Sequence, residues 1–72
     1  MSAVPQILLN GEPKTLPEGA TAADAVRASG VPREARGVAV ALDGEVVPRG
    51  EWQSTPLAEG GQVEVLEAVG GG

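Results

Sequence analysis

Apolar and polar positions alternate at intervals along the chain, and each alternating run predicts a strand. Val4 to Leu9 reads as a first strand and Glu12 to Leu16 as its return. Between them stands Asn10-Gly11, a dipeptide suited to the tight two-residue hairpin turn. Pro13 lacks an N–H, which places the returning strand at a sheet edge. From Thr21 to Ser29 the spacing changes to three and four, with Ala22, Ala25, Val26 and Ser29 on one narrow face, and this predicts the one helix. Thr21 is the expected N-cap, Asp24 stands where a capping-box acid belongs, and Gly30 and Pro32 end the run. Alternation returns at Gly37 to Leu42, with Val38, Val40 and Leu42 on a large-residue face and Ala39 and Ala41 on a small one. Asp43-Gly44 signals a second hairpin, Glu45-Val46-Val47 its return, and Pro48 its end. Arg49 to Leu57 has no period and reads as irregular, with Trp52 as a lid over one end of the core or, less favoured, an exposed partner anchor. Gln62 to Val69 is the last strand.

This order of hairpin, helix, hairpin and strand has few economical solutions. A hairpin cannot bury its face alone, and one helix can cover one face of a small sheet. A last strand parallel to the first, between the two hairpins, joins everything without crossing connections. The expectation is an α+β, ubiquitin-like β-grasp, a mixed four- to five-stranded sheet on one main helix. Residues 1–69 form the single domain and 70–72 a flexible C-terminal glycine tail. The expected core is Ile7, Leu9, Leu16, Val26, Val38, Val40, Leu42, Val63 and Val65.

Composition narrows the function. The chain has 72 residues, 42% of them hydrophobic, with Trp52 its single aromatic. It has neither Cys nor His, which removes disulfides, thiolate and imidazole metal ligands, and the usual nucleophile–base pairs. Its carboxylates are dispersed, and Glu64 and Glu67, three apart in a strand, point to opposite faces rather than forming a catalytic pair. Lys14, the sole lysine, lies in a hairpin where an amine stays solvated. The net charge of −5 disfavours nucleic acid and suits a partner with a basic docking face. No apolar run is long enough to span a membrane, and the first residues lack the pattern of a signal peptide, so the expected location is cytoplasmic. The protein is therefore not expected to be an enzyme.

The sequence closes on Val69-Gly70-Gly71-Gly72. Three glycines add nothing to a core and lose much backbone freedom on ordering. They do make a thin strand that can thread a narrow channel in a partner enzyme. An α-carboxylate at Gly72 is ionised at neutral pH and resists nucleophiles until a partner converts it to a mixed anhydride such as an acyl-adenylate. A sulfur donor can then leave a thiocarboxylate there. The docking surface is expected beside the last strand, with Leu57, Leu66 and Val69 as apolar contacts and Glu64 or Glu67 at a charged rim.

With the chain read in this order, it resembles the bacterial ThiS family, the sulfur carriers of thiamine (thiazole) biosynthesis. The residues that carry the likeness are Leu9-Asn10-Gly11-Glu12-Pro13, Gly37-Val38-Ala39-Val40-Ala41-Leu42 with Asp43-Gly44-Glu45-Val46-Val47-Pro48, Glu51-Trp52 and Thr55-Pro56-Leu57. Gly60-Gly61-Gln62-Val63-Glu64-Val65-Leu66-Glu67-Ala68-Val69 and the terminal glycines complete it. The resemblance implies a β-grasp carrier with no bound cofactor. An E1-like adenylyltransferase (ThiF type) would use ATP on Gly72, a cysteine desulfurase would indirectly supply sulfur, and thiazole synthase (ThiG type) would consume the thiocarboxylate. Gly71 would thread the channel as the companion of Gly72. Gly70 departs from the pattern, since members usually carry a bulkier residue there. Two alternatives share the glycine tail, a molybdopterin-type sulfur carrier and a ubiquitin-like protein modifier.

Overall fold

The computed structural model describes residues 4–31 and 37–67. The chain runs β1 (Gln6–Leu9), β2 (Glu12–Thr15), α1 (Ala22–Ala28), β3 (Val38–Leu42), β4 (Glu45–Val47), a 3-10 turn (Arg49–Ser54) and β5 (Gln62–Glu67). The strands form one five-stranded sheet in the order β2-β1-β5-β3-β4. β5 lies in the middle, parallel to β1 and antiparallel to β3, while each hairpin is antiparallel within itself. Pro13 sits on the β2 edge, where its missing donor costs no ladder hydrogen bond. The expected topology is thus the observed one.

The two hairpin turns are set by their residues. Asn10 and Gly11 have φ of 52° and 84°, and Asp43 and Gly44 have 50° and 88°. Positive φ at both central residues is the type I′ turn, whose twist matches that of the flanking strands. The pairs Leu9↔Glu12 and Leu42↔Glu45 close the turns.

Strand alternation sends Ile7, Leu9, Val40, Val47, Val63 and Val65 to one face, where all are buried. Helix α1 lies against this face through Ala22 and Ala25, which are both 0% exposed, so their small side chains let the helix sit close to the sheet. Val26, Val38 and Leu42, expected in the core, are half-buried and pack around its margin. The core also takes Leu16, as expected, and Ala20, Trp52 and Leu57. The Asp24 carboxylate accepts from the Thr21 N–H at 2.8 Å and holds the helix start.

The stretch expected to be irregular from Arg49 onward contains the 3-10 turn over Arg49–Ser54. Trp52 is buried inside it, and its indole N–H donates to the Val47 carbonyl at 3.0 Å. It serves as the lid rather than as an exposed anchor, and the Arg49 guanidinium lies over its ring at 5.2 Å.

Candidate functional site

The helix covers one face of the sheet, and no described element covers the other. Alternation and register place Leu8 of β1, Ala39 and Ala41 of β3, Val46 of β4, and Gln62, Glu64 and Leu66 of β5 on this open face. Ala41 lies beside Val46 on one side and Glu64 on the other, and Ala39 lies beside Leu66. The result is a shallow alanine trough with larger apolar side chains at its sides. Leu66 is 66% exposed and Val46 75% exposed, so these two project into solvent rather than fold down onto the sheet. An aliphatic strip of this kind gains by being covered. Glu64 is the one charged side chain that alternation places on the strip.

The expected site residues divide three ways. Glu64, Leu66 and Glu67 are exposed on β5, close together along the strand that leads toward the C-terminus. Leu66 and Glu64 point to the open face, and Glu67 to the other side, at the end of the strand. Leu57 departs from the expectation. It is 9% exposed and belongs to the core, so its side chain is packed inward rather than offered to a partner. The cause is a non-local tie: the Leu57 N–H donates to the Ala20 carbonyl at 3.0 Å, and the Ala22 N–H donates to the Thr55 carbonyl at 2.9 Å. These bonds pull the segment after the 3-10 turn under the helix start. Val69, Gly70, Gly71 and Gly72 lie outside the described residues.

Sequence reasoning left Leu8, Ala39, Ala41 and Val46 out of the site. Their signal was present in the small-residue face of the third strand. What was missing was which face the helix takes, a tertiary choice. Two side-chain roles were also not foreseen. Asn10 and Asp43, read only as turn formers, each bind the backbone of β5, Asn10 at Val65 and Asp43 at Gln62.

No group of three or more His, Cys, Asp or Glu among the described residues could hold a metal ion. None of the described polar or charged residues is buried. No helix of the described residues is long and apolar enough to cross a membrane. The geometry that remains is an aliphatic sheet face and, ending beside it, the strand that leads to the glycine run.

Comparison with known proteins fits this geometry. The solved structure of thiamine biosynthesis protein ThiS from Geobacter metallireducens superposes with a TM-score of 0.72 at 33% identity, covering 93% of this chain and 99% of that one. No curated protein sequence matches the chain. The model of the ThiS family matches residues 7–72, nearly the whole length. The chain therefore belongs to the ThiS family.

Proposed function

We propose that this protein is the sulfur carrier of a thiamine (thiazole) pathway. The observation that carries the reading is the family match, which extends from β1 through the final glycine. In this reading an E1-like adenylyltransferase docks on the open sheet face through Leu66, Ala39, Ala41 and Val46, with Glu64 on that face and Glu67 at the rim, at the end of the strand, meeting cationic groups of the partner. The glycine run enters the nucleotide site because no side chain projects from it. The Gly72 carboxylate attacks the α-phosphorus of ATP, pyrophosphate leaves, and an acyl-adenylate forms. A persulfide, its outer sulfur supplied indirectly by a cysteine desulfurase, then attacks the acyl carbon and AMP leaves; a thiol reduces the S–S bond of the acyl disulfide so formed, which releases the thiocarboxylate and leaves a disulfide. Thiazole synthase consumes the resulting thiocarboxylate.

The chain's own contribution is negative as well as positive. Without Cys it has no thiol to divert the acyl group, and without His it has no ready base to hydrolyse it.

Incubation with ATP, the adenylyltransferase and a sulfur donor tests the reading. The expected product carries one sulfur in place of one oxygen, located at Gly72 by fragmentation mass spectrometry. Removing Gly71 and Gly72 should abolish the gain. Full sulfur loading of the truncated protein would overturn the carrier reading. Lysine-linked adducts would instead identify a modifier. A growth defect corrected by restoring molybdoenzyme activity, and not by thiamine, would identify the molybdopterin-type carrier.

A further inference from the structure

We propose that Asn10 is a positioning residue that secures the end of β5, the strand that leads in sequence to the glycine run. The inference rests on the carrier reading for its functional consequence and on hydrogen-bond geometry for its cause. β1 turns back at Asn10, so β5 continues past the end of its parallel neighbour. The β1–β5 register ends at Leu9↔Val63, and the Asn10 N–H donates to the Val63 carbonyl at 2.9 Å. The next rung falls on Val65, where β1 has no backbone left to offer. The Asn10 side chain supplies it: Oδ1 accepts from the Val65 N–H at 2.8 Å, and Nδ2 donates to the Val65 carbonyl at 3.2 Å. A carboxamide carries a donor and an acceptor side by side, as a peptide group does.

The second turn gives an internal comparison. Asp43, in the same backbone conformation, braces the opposite end of β5 from the β3 side. There the Asp43 N–H donates to the Gln62 carbonyl at 2.7 Å, and Oδ1 accepts from the Gln62 N–H at 2.9 Å. Because the backbone provides the donor, the side chain need only accept, and a carboxylate suffices. At Asn10 the side chain must provide both, and a carboxylate does not suffice. Asp43 therefore sets where β5 begins, and Asn10 holds its far end at Val65. Beyond Val65, β3 is the only strand that pairs with β5 among the described residues, through Val38↔Glu67. Without Asn10, β5 is held at this end from one side only, and the end of the strand is less firmly placed.

The test compares N10G, N10D and D43G in the full-length protein. Glycine keeps the positive φ of the turn, so N10G removes the clamp and little else. N10D keeps the acceptor but sets a carboxylate oxygen against the Val65 carbonyl. D43G removes a brace at the end remote from the tail. In N10G the Val65 amide should exchange with solvent about tenfold faster, in line with the loss of hydrogen bonds of ordinary strength. In ATP-dependent loading by the adenylyltransferase, kcat should fall about tenfold with KM within about twofold, because docking survives while the reacting carboxylate is misaligned. N10D should fall between N10G and the wild type. D43G should lower the melting temperature comparably but leave kcat unchanged, which a merely structural role for Asn10 would not predict.

Wild-type loading alongside N10G loading at the same kcat would overturn the positioning role and leave the carrier reading standing. Equal slowing in D43G would also overturn it. Should N10G fail to fold, the same comparison of N10D with D43G decides. A wild-type protein that is not loaded at all overturns the carrier reading and this proposal together, while unchanged Val65 exchange in N10G removes the clamp itself.

Discussion

Val40 shows how much one side chain contributes in so small a core. It is 1% exposed, with Val65 and Val47 as its cross-strand neighbours. Val40→Ala removes two methyl-sized groups that no neighbour can replace without moving. Lost transfer energy and a small residual cavity together predict a loss of about 1–3 kcal/mol, measurable as a lower urea midpoint at unchanged slope. A midpoint unchanged within error would show that Val40 does not anchor the core. Gly11 tests a different term. A Cβ built there meets nothing within 4 Å, so any cost of substitution comes from the backbone, held at φ of 84°. Gly11→Val should therefore destabilise by about 1–2 kcal/mol through left-handed strain alone. An unaltered melting curve would mean that the turn can relax to another type. These two sites separate packing energy from conformational energy within one sheet.

At the scale of elements, the helix is the weakest part taken by itself. Seven residues are too few to be stable in water, so the end bonds and the buried alanine face must hold it. Asp24→Ala removes the acceptor at the helix start and should cost about 1 kcal/mol, with the first turn losing amide protection before the sheet does. Uniform loss of protection across the sheet and helix would show instead that the cap is coupled to global unfolding. The elements that were legible in sequence have local causes. Asn10-Gly11 and Asp43-Gly44 fix their turns within four residues, and Val38, Val40 and Leu42 report a strand by alternation alone. The elements that were not legible have distant causes or lack a period. Ala20 and Leu57 are buried because they bond to each other across the start of the helix; the 3-10 turn over Arg49–Ser54 is held locally, by the Trp52 bond to Val47, but no hydrophobic period announces it. The same division runs through the candidate site. Glu64, Leu66 and Glu67 were placed on the last strand by alternation, whereas the open face around Leu66 depends on which side α1 takes. The inward turn of Leu57 depends on its partner at Ala20.

For the whole molecule, the governing asymmetry is between a covered face and an open one. The helix closes one side of the sheet over aliphatic residues, and the other side presents Leu66 and Val46 around an alanine trough. The chain carries a net charge of −5, so under the proposed carrier role a basic partner would be steered over long range while the strip would provide the short-range attraction. The two contributions can be separated by substitution. Glu67→Lys should slow association with the adenylyltransferase and flatten its dependence on salt, with little change in dissociation. Rates unchanged at both low and high salt would place Glu67 outside the interface. Leu66→Asp should act on the other contribution. Leu66 is 66% exposed in the free chain and contributes little to its stability, so the melting temperature should stay within error of the wild type. In a complex its remaining apolar surface would be removed from water, and burying most of a leucine is worth roughly 1.5–2 kcal/mol. Loss of that contribution, with an aspartate desolvated in its place, predicts at least about tenfold weaker binding by calorimetry, expressed mainly as faster dissociation. Because the tail is untouched, a saturating concentration of the adenylyltransferase should restore the loading of Gly72. Binding as tight as wild type would exclude the open face as the docking surface. Weak binding that saturating partner cannot rescue would mean that Leu66 also governs the path of the tail.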